Sequence, residues 1–276
     1  MMRKWLSLAL VLTLVVASAL LATGCASSGS GEFRVGLECA YAPFNWTQTD
    51  ASNGAVKIEG TNDYAGGYDV EIAKQIATGL GKKLVIVKTQ WDGLVPAVES
   101  GTIDAIIAGM SPTADRKQSI DFTANYYRSE LVLVVKKSSA YANATSLADF
   151  SGAKVTAQLS TFHYTVIDQI PGVLKQTAMD DFPAMRVALE SGIIDAYVSE
   201  RPEGVSAVAA NPDFAMVQFA VGKGFTTSDD DVAIAVGLKK GQAALVTKID
   251  AILAGISDAQ RTQIMDTAIK NQPSSN

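Results

Sequence analysis

Between residues 32 and 108 the spacing of apolar positions switches repeatedly between two periods. Glu32-Phe33-Arg34-Val35-Gly36-Leu37 reads as a first strand. From Tyr68 onward Val70, Ile72, Ala73, Ile76, Ala77 and Leu80 recur at helical spacing, and Gly79 and Gly81 end the run, which predicts an amphipathic helix. Lys83 to Lys88 is then a buried strand, Trp91-Asp92-Gly93-Leu94 opens a helix through Val98, and Asp104 to Ala108 is a short buried strand. Strand and helix in alternation are the mark of an α/β sheet with parallel strands. The stretch 47–67 breaks the rhythm, because Thr, Asn, Asp and Gly dominate it and predict a surface loop ending at Gly66-Gly67.

The second half follows the same scheme. Leu131 to Val135 is a strand without helical period, and a crossing between lobes is placed just before it. Lys154 to Leu159 is the next strand, and Ser160-Thr161 stand where a helix carrying Tyr164, Val166 and Ile167 would start. A hydroxyl there is expected to cap the helix, whose free amides suit an anion. Further helices are expected over 183–190, from Pro202 through Ala210 and over 243–269, with strands at 214–219 and 231–238.

One unit occurs twice. Ala97-Val98-Glu99-Ser100-Gly101-Thr102-Ile103-Asp104-Ala105 matches Ala188-Leu189-Glu190-Ser191-Gly192-Ile193-Ile194-Asp195-Ala196 at an offset of 91 residues. Both copies put a glycine where a helix can end in the left-handed conformation and a strand can begin at Ile-Asp-Ala. Convergence on a common turn contributes to such a match, but the run of shared residues favours two lobes of similar design. Ligands of open α/β sheets sit beyond the carboxyl ends of the strands. The first copy delivers Gly109, Ser111 and Arg116 to that edge, and the second delivers Ser199, Glu200 and Arg201.

The N-terminus sets the compartment. Arg3 and Lys4 precede an apolar run, Trp5 to Leu21, followed by Ala22-Thr23-Gly24-Cys25 and a Ser/Gly stretch, the make-up of a secretory signal. Cys25 directly after Gly24 resembles a bacterial lipoprotein signal in which the cysteine is lipidated, although Ala22 stands where Leu is usual. Cleavage without lipidation, which would leave the protein periplasmic, is one alternative and an uncleaved membrane anchor is another. Residues 26–32 serve as a flexible tether.

With Cys25 so assigned, Cys39 has no partner for an internal disulfide, and the exported domain must be held by its core. Its roughly 250 residues suit one large or two medium domains. Without Arg3 and Lys4 the chain keeps 21 cations against 28 carboxylates, a formal −7. That balance argues against nucleic acid or anionic lipid as partner and is compatible with a cationic ligand.

Candidate chemistry concentrates at 101–116. An α-carboxylate calls for a bidentate cation and neutral donors, which Arg116 with Ser111, Thr113 and the Gly109 amide could supply. The same residues would also make a capped turn with Arg116 in a surface ion pair. No metal cluster, cofactor motif or phosphate loop stands out. His163 is the single histidine, expected on a helix face near the cleft as a packing or solvent-facing residue, which leaves a Ser-His-Asp arrangement unsupported.

Six motifs in order complete the picture: Tyr41-Ala-Pro-Phe44, Gly67-Tyr-Asp-Val-Glu71, Trp91-Asp-Gly-Leu-Val-Pro96, Gly101 to Met110, Thr113-Ala-Asp-Arg116 and Asp121-Phe-Thr-Ala-Asn-Tyr-Tyr127. With them the chain resembles, over 33–270, the polar amino-acid family of extracellular solute-binding proteins, the receptors of ABC importers. The resemblance implies a two-lobed α/β fold of the periplasmic-binding-protein type II class, with two crossover strands between lobes that close on the ligand.

The lobes then comprise 33–128 with 229–271, and 129–228, after a signal at 1–25 and a tether at 26–32 and before a disordered tail at 272–276. By the same resemblance Arg116 grips the ligand α-carboxylate, helped by Ser111, Gly109 and Thr161, Met110 belongs to the ligand site, and Glu200 holds the α-ammonium where Asp is usual. Tyr41 and Trp91 would sandwich the ligand side chain, and Glu38 would select a cation. Ala124 and Asn125 stand where the family usually has Asp and Pro.

The implied function is capture of a free polar amino acid, arginine or another cationic one first and glutamine next, by a monomeric receptor. It would be lipid-anchored through Cys25 outside the cell membrane, would serve an ABC permease, and would need no cofactor, metal or catalytic residue. The rival from another class is a cyclohexadienyl dehydratase-like enzyme with Glu200 as general acid.

Overall fold

The structure is a computed structural model that describes residues 31–273. The expected signal with Cys25, most of the tether and the end of the expected tail lie outside the described residues.

In chain order the first part comprises β1 (Glu32–Leu37), β2 (Ala40–Tyr41), β3 (Asn45–Gln48), β4 (Val56–Lys57), β5 (Tyr64–Gly66), α1 (Tyr68–Gly79), β6 (Lys83–Lys88), α2 (Leu94–Ser100), β7 (Ala105–Ile106), α3 (Arg116–Ser119) and β8 (Ile120–Arg128). The second part comprises β9 (Leu131–Lys136), β10 (Lys154–Thr156), α4 (Phe162–Val166), β11 (Leu174–Lys175), α5 (Phe182–Ser191), β12 (Ala196–Glu200), α6 (Arg201–Ala210) and β13 (Phe214–Val217). The chain then returns with β14 (Ala233–Lys239), α7 (Ala243–Ala254) and α8 (Asp258–Asn271).

Two five-stranded sheets carry the fold, in the orders β6-β1-β7-β14-β8 and β11-β10-β12-β9-β13. They are built alike. In one, β1 and β7 are parallel while β14 runs against β7 and β8. In the other, β10 is parallel to β11 and β12 while β9 runs against β12 and β13. The chain passes between them twice, at Ser129-Glu130 and over 218–232, so β14 returns to the first sheet.

The repeated sequence unit has the same job in each lobe. Gly101 and Gly192 cap α2 and α5 in the left-handed region, at φ +81° and +80°. Asp104 then accepts the Arg34 amide at 2.8 Å and donates its own amide to the Arg34 carbonyl at 2.8 Å. Asp195 makes the same pair of bonds with Lys154 at the same distances. Each aspartate thereby fixes a short strand against the strand that leads to the cleft.

Three elements differ from the sequence expectation. The polar stretch 47–67 holds β4 and β5, which join β2 and β3 in a separate four-stranded sheet ordered β2-β3-β5-β4. Its strands are two to four residues long, too short for alternation to show. The nine-residue β8 pairs with β14 through register shifts, and such bulges break the period-2 pattern. The C-terminal helical stretch is two helices, because Ser257 and Gln260 form a capping box that starts α8 afresh.

Burial explains why β9 shows no polar alternation. Val134 faces the larger apolar cluster, Leu133 and Val135 face the smaller one, and all three are fully buried. A strand covered on both faces reads as a continuous apolar run. Gln272, at the start of the expected tail, is hydrogen-bonded to Ser206 of α6.

Candidate functional site

The cleft floor is built from buried polar groups that satisfy one another. Asp69, in the first turn of α1, accepts hydrogen bonds from the Tyr126 hydroxyl at 2.7 Å and from Asn45 Nδ2 at 2.9 Å. The Gly109 amide donates to the same Tyr126 hydroxyl at 3.1 Å. This corrects the expectation for Gly109, whose amide is committed to the floor. Gly109 has φ +64°, and an added Cβ would lie 2.6 Å from Tyr41 Cε1. Glycine is needed there so that the Tyr41 ring can lie on the backbone.

Tyr41 also departs from its expected role. Its ring stacks on Phe182 of the other lobe at 4.4 Å and 10°, and is tilted against Phe44 at 4.9 Å. Protein rings therefore take up its faces. Its hydroxyl is what reaches across the cleft, donating to Glu200 Oε2. The Trp91 ring, expected on the other side of the ligand side chain, lies under the Arg116 guanidinium, 5.0 Å from centroid to Cζ. The guanidinium donates to the Ser111 carbonyl at 2.9 Å and, across the lobes, to the Ser160 carbonyl at 3.1 Å. A guanidinium has five N–H donors, so it keeps capacity for a carboxylate beyond these bonds.

Other expected carboxylate partners are turned elsewhere. The Ser111 hydroxyl donates to the Asp231 carbonyl at 2.7 Å and so ties the return crossing to the loop before α3. Met110 is 1% exposed within the apolar cluster, its carbonyl bonded to the Ala235 amide at 3.1 Å. Thr161 sits at the N-cap of α4, but its hydroxyl turns back to the Gln158 carbonyl at 2.7 Å and does not cap the helix. Thr113 accepts from the Arg116 amide at 3.4 Å, the capped-turn arrangement. Arg201 is exposed, its amide bonded to Glu130 beside the crossing, and Ser199 is buried.

Of the predicted site residues, Glu38 and Glu200 each keep a carboxyl oxygen without a hydrogen-bond partner among the described residues. Glu38 lies at the end of β1, 3% exposed; Gln158 Nε2 donates to its Oε2 at 2.9 Å, and its Oε1 has no partner among the described residues. Burial pushes its pKa up to about 8, against the lowering bond from Gln158, and the charges of Asp181 and Asp69 push the same way as burial. Glu200, 1% exposed, keeps Oε1 without a hydrogen-bond partner among the described residues. Its pKa is also raised to about 8 by burial, although Tyr41 and Arg116 pull it down. Arg116 is lowered to about 10 by burial and stays charged at neutral pH.

Sequence reasoning missed four members of this constellation. Phe182 supplies the ring opposite Tyr41, Gln158 holds Glu38, and Asp69 with Tyr126 forms the floor. Asp69 and Tyr126 lie in quoted motifs, which was the available signal; Phe182 and Gln158 carried none. His163 is buried in α4, with its ring 4.4 Å from Phe162 and Nε2 4.0 Å from Glu200 Oε1. A depression of about 270 Å³ lined by Gln90, Trp91, Asp92, Leu159 and Asp180 opens where the lobes meet.

The chain is similar to known proteins over most of its length. The family described as bacterial extracellular solute-binding proteins, family 3, matches residues 33–270. A probable histidine-binding protein of Campylobacter jejuni is 30% identical over 86% of this chain and 83% of its own length. The glutamine-binding protein GlnH of a Bacillus subtilis ABC transporter is 33% identical over 75% of this chain and 74% of its own. Among solved structures, the Streptococcus pneumoniae amino-acid ABC transporter substrate-binding protein AbpA bound to L-arginine superposes with a TM-score of 0.73 at 28% identity. That similarity covers 87% of this chain and 95% of the other.

Proposed function

The chain belongs to the bacterial extracellular solute-binding proteins, family 3, and from that premise we propose that its ligand is an amino acid with a cationic side chain, arginine first. As an amino-acid-binding component of an ABC importer it works outside the cytoplasm. The observation that carries the cationic reading is Glu38, a buried carboxyl with one free oxygen and with Asp181 and Asp69 adding negative potential. A ligand guanidinium or ammonium there would supply the missing partner, and a buried charge is tolerated only when paired.

Arg116 takes the α-carboxylate with its remaining donors, and Glu200 takes the α-ammonium. The Tyr41 hydroxyl holds Glu200 and the Ser111 carbonyl holds Arg116, Gly109 seats the Tyr41 ring, Met110 and Thr161 stand next in the chain to the carbonyls of Ser111 and Ser160 that Arg116 grips, and Trp91 backs the guanidinium. Anchoring through a lipid on Cys25, action as a monomer and docking to a permease complete the reading.

It is a receptor without turnover. Glu200, with its raised pKa, has the property a general acid needs, which is the one observation that favours a dehydratase. Against it stands the family, whose members are solute-binding receptors. Titration calorimetry with arginine, lysine, histidine and glutamine tests the proposal. Tighter binding of arginine or lysine than of glutamine is expected, and tight glutamine binding with none for arginine or lysine would refute the role of Glu38. Consumption of arogenate or prephenate by the purified protein would instead establish the enzyme.

A further inference from the structure

A buried imidazole nitrogen and a buried carboxyl oxygen face each other at the α4 side of the cleft without bonding to one another. His163 is 7% exposed at its side chain and Glu200 2%, and Nε2 stands 4.0 Å from Oε1. Neither ring nitrogen of His163 nor Glu200 Oε1 has a hydrogen-bond partner among the described residues. At 4.0 Å they do not bond to each other. Both atoms are nonetheless held in place, the carboxyl by the Tyr41 hydroxyl on its other oxygen and the imidazole by its contact with Phe162.

We propose that His163 Nε2 and Glu200 Oε1 form a two-acceptor cradle for one ammonium group, the α-ammonium of the bound amino acid. The proposal rests on the amino-acid-receptor reading and adds a specificity residue to it. Two bonds of about 2.8 Å donated by one ammonium at the tetrahedral angle set their acceptors about 4.6 Å apart, and closing that angle to about 90° brings them to the 4.0 Å seen here. The imidazole must be neutral to accept, and Glu200, whose pKa burial raises to about 8, must release its proton as the cation binds. Burial first, and the nearby Arg116 charge second, lower the His163 pKa to about 3, so the imidazole stays an acceptor throughout the neutral range. A tetrahedral NH3+ satisfies both atoms at once, which a hydroxyl with one proton cannot do.

The experiment uses the fact that His163 is the only histidine. Untagged protein labelled with nitrogen-15 in histidine alone is titrated with L-arginine and, separately, with 5-guanidinopentanoate, which is arginine without its α-amino group. The Nε2 resonance should move with arginine and stay nearly still with the analogue. By calorimetry, His163→Ala should weaken arginine roughly 10–100-fold, the loss of one hydrogen bond to a charged group, and change the analogue's affinity by less than about 2-fold.

His163→Gln keeps an acceptor and should recover part of the arginine affinity; circular dichroism and thermal melting confirm that each variant folds. Equal weakening of both ligands by His163→Ala, or arginine binding without movement of Nε2, overturns the cradle and makes His163 a packing residue. If wild-type protein bound no free amino acid at all, the receptor reading would fall and the cradle with it. If it preferred another amino acid, the same pair of measurements would be made with that amino acid and its des-amino analogue.

Discussion

Glu38 and Glu200 make the free protein's stability depend on pH in a definite direction. Each has a folded pKa of about 8 against 4.5 for an unperturbed glutamate, so the folded chain keeps protons that the unfolded chain has lost. Stability then falls as pH rises through that interval. Below pH 6.5 His163 opposes this, since its folded pKa is about 3 and the unfolded chain binds its proton. Asp69, raised to about 6, adds to the fall only below that pH. Between pH 6.5 and 8 the two glutamates act alone, at about 2 kcal/mol each. Urea midpoints should drop over this window in the free protein, and Glu38→Gln should remove about half of the drop. A flat profile would show that both carboxyls are ionised when buried. Arg116 could be found in the sequence because a carboxylate clamp and a family motif both name it, Glu200 because the second copy of the repeat leads to it, and Glu38 through the family resemblance. His163 could not: one histidine has no spacing to reveal it, and only the fold brings it to Glu200.

At the level of elements, the loop at Gly109 and the hairpin at Tyr41 form one device. The loop comes from the first copy of the repeat and its backbone must pass under the Tyr41 ring; the ring in turn aims its hydroxyl at Glu200. Gly109→Ala puts a methyl 2.6 Å from Tyr41 Cε1 at a backbone φ of +64°. A stability loss of about 1–3 kcal/mol is expected, together with weaker ligand binding, because a displaced ring no longer orients Glu200. Urea unfolding and calorimetry read the two effects; a variant of unchanged stability and affinity would show that the ring does not rest on the backbone.

The helices and long strands on either side were readable from periodicity, and the repeat exposed the two lobes because Asp104 and Asp195 make identical bonds. The four-stranded sheet was not readable, since strands of two to four residues in a Thr/Asn/Gly-rich stretch are held by pairing with neighbours distant in sequence. The aromatic sandwich was misplaced for a related reason. Phe182 begins α5, far from Tyr41 in the chain, and only closure of the lobes stacks one on the other.

Over the whole molecule, the side chains that would grip a ligand also join the two lobes. Tyr41 meets Glu200 and Phe182, Glu38 meets Gln158, and Arg116 and Trp91 both reach the Ser160 carbonyl. Each contact pairs a group before Arg128 with one after Leu131. Binding and closure are then coupled, because a ligand that supplies charges to both sides stabilises only the closed arrangement. Affinity and selectivity should therefore separate by residue. Arg116→Lys keeps the charge but loses the planar fork that spans Ser111, Ser160 and a carboxylate. It should weaken every amino acid by roughly 10-fold or more while leaving their rank order intact. It should also reduce the ligand-induced contraction seen by small-angle scattering. Glu38→Gln should do the reverse, costing arginine at least about 10-fold, sparing glutamine, and leaving the contraction with glutamine unchanged. If Arg116→Lys reordered the ligands, or Glu38→Gln weakened them all alike, the division into a closing clamp and a selecting acid would be wrong.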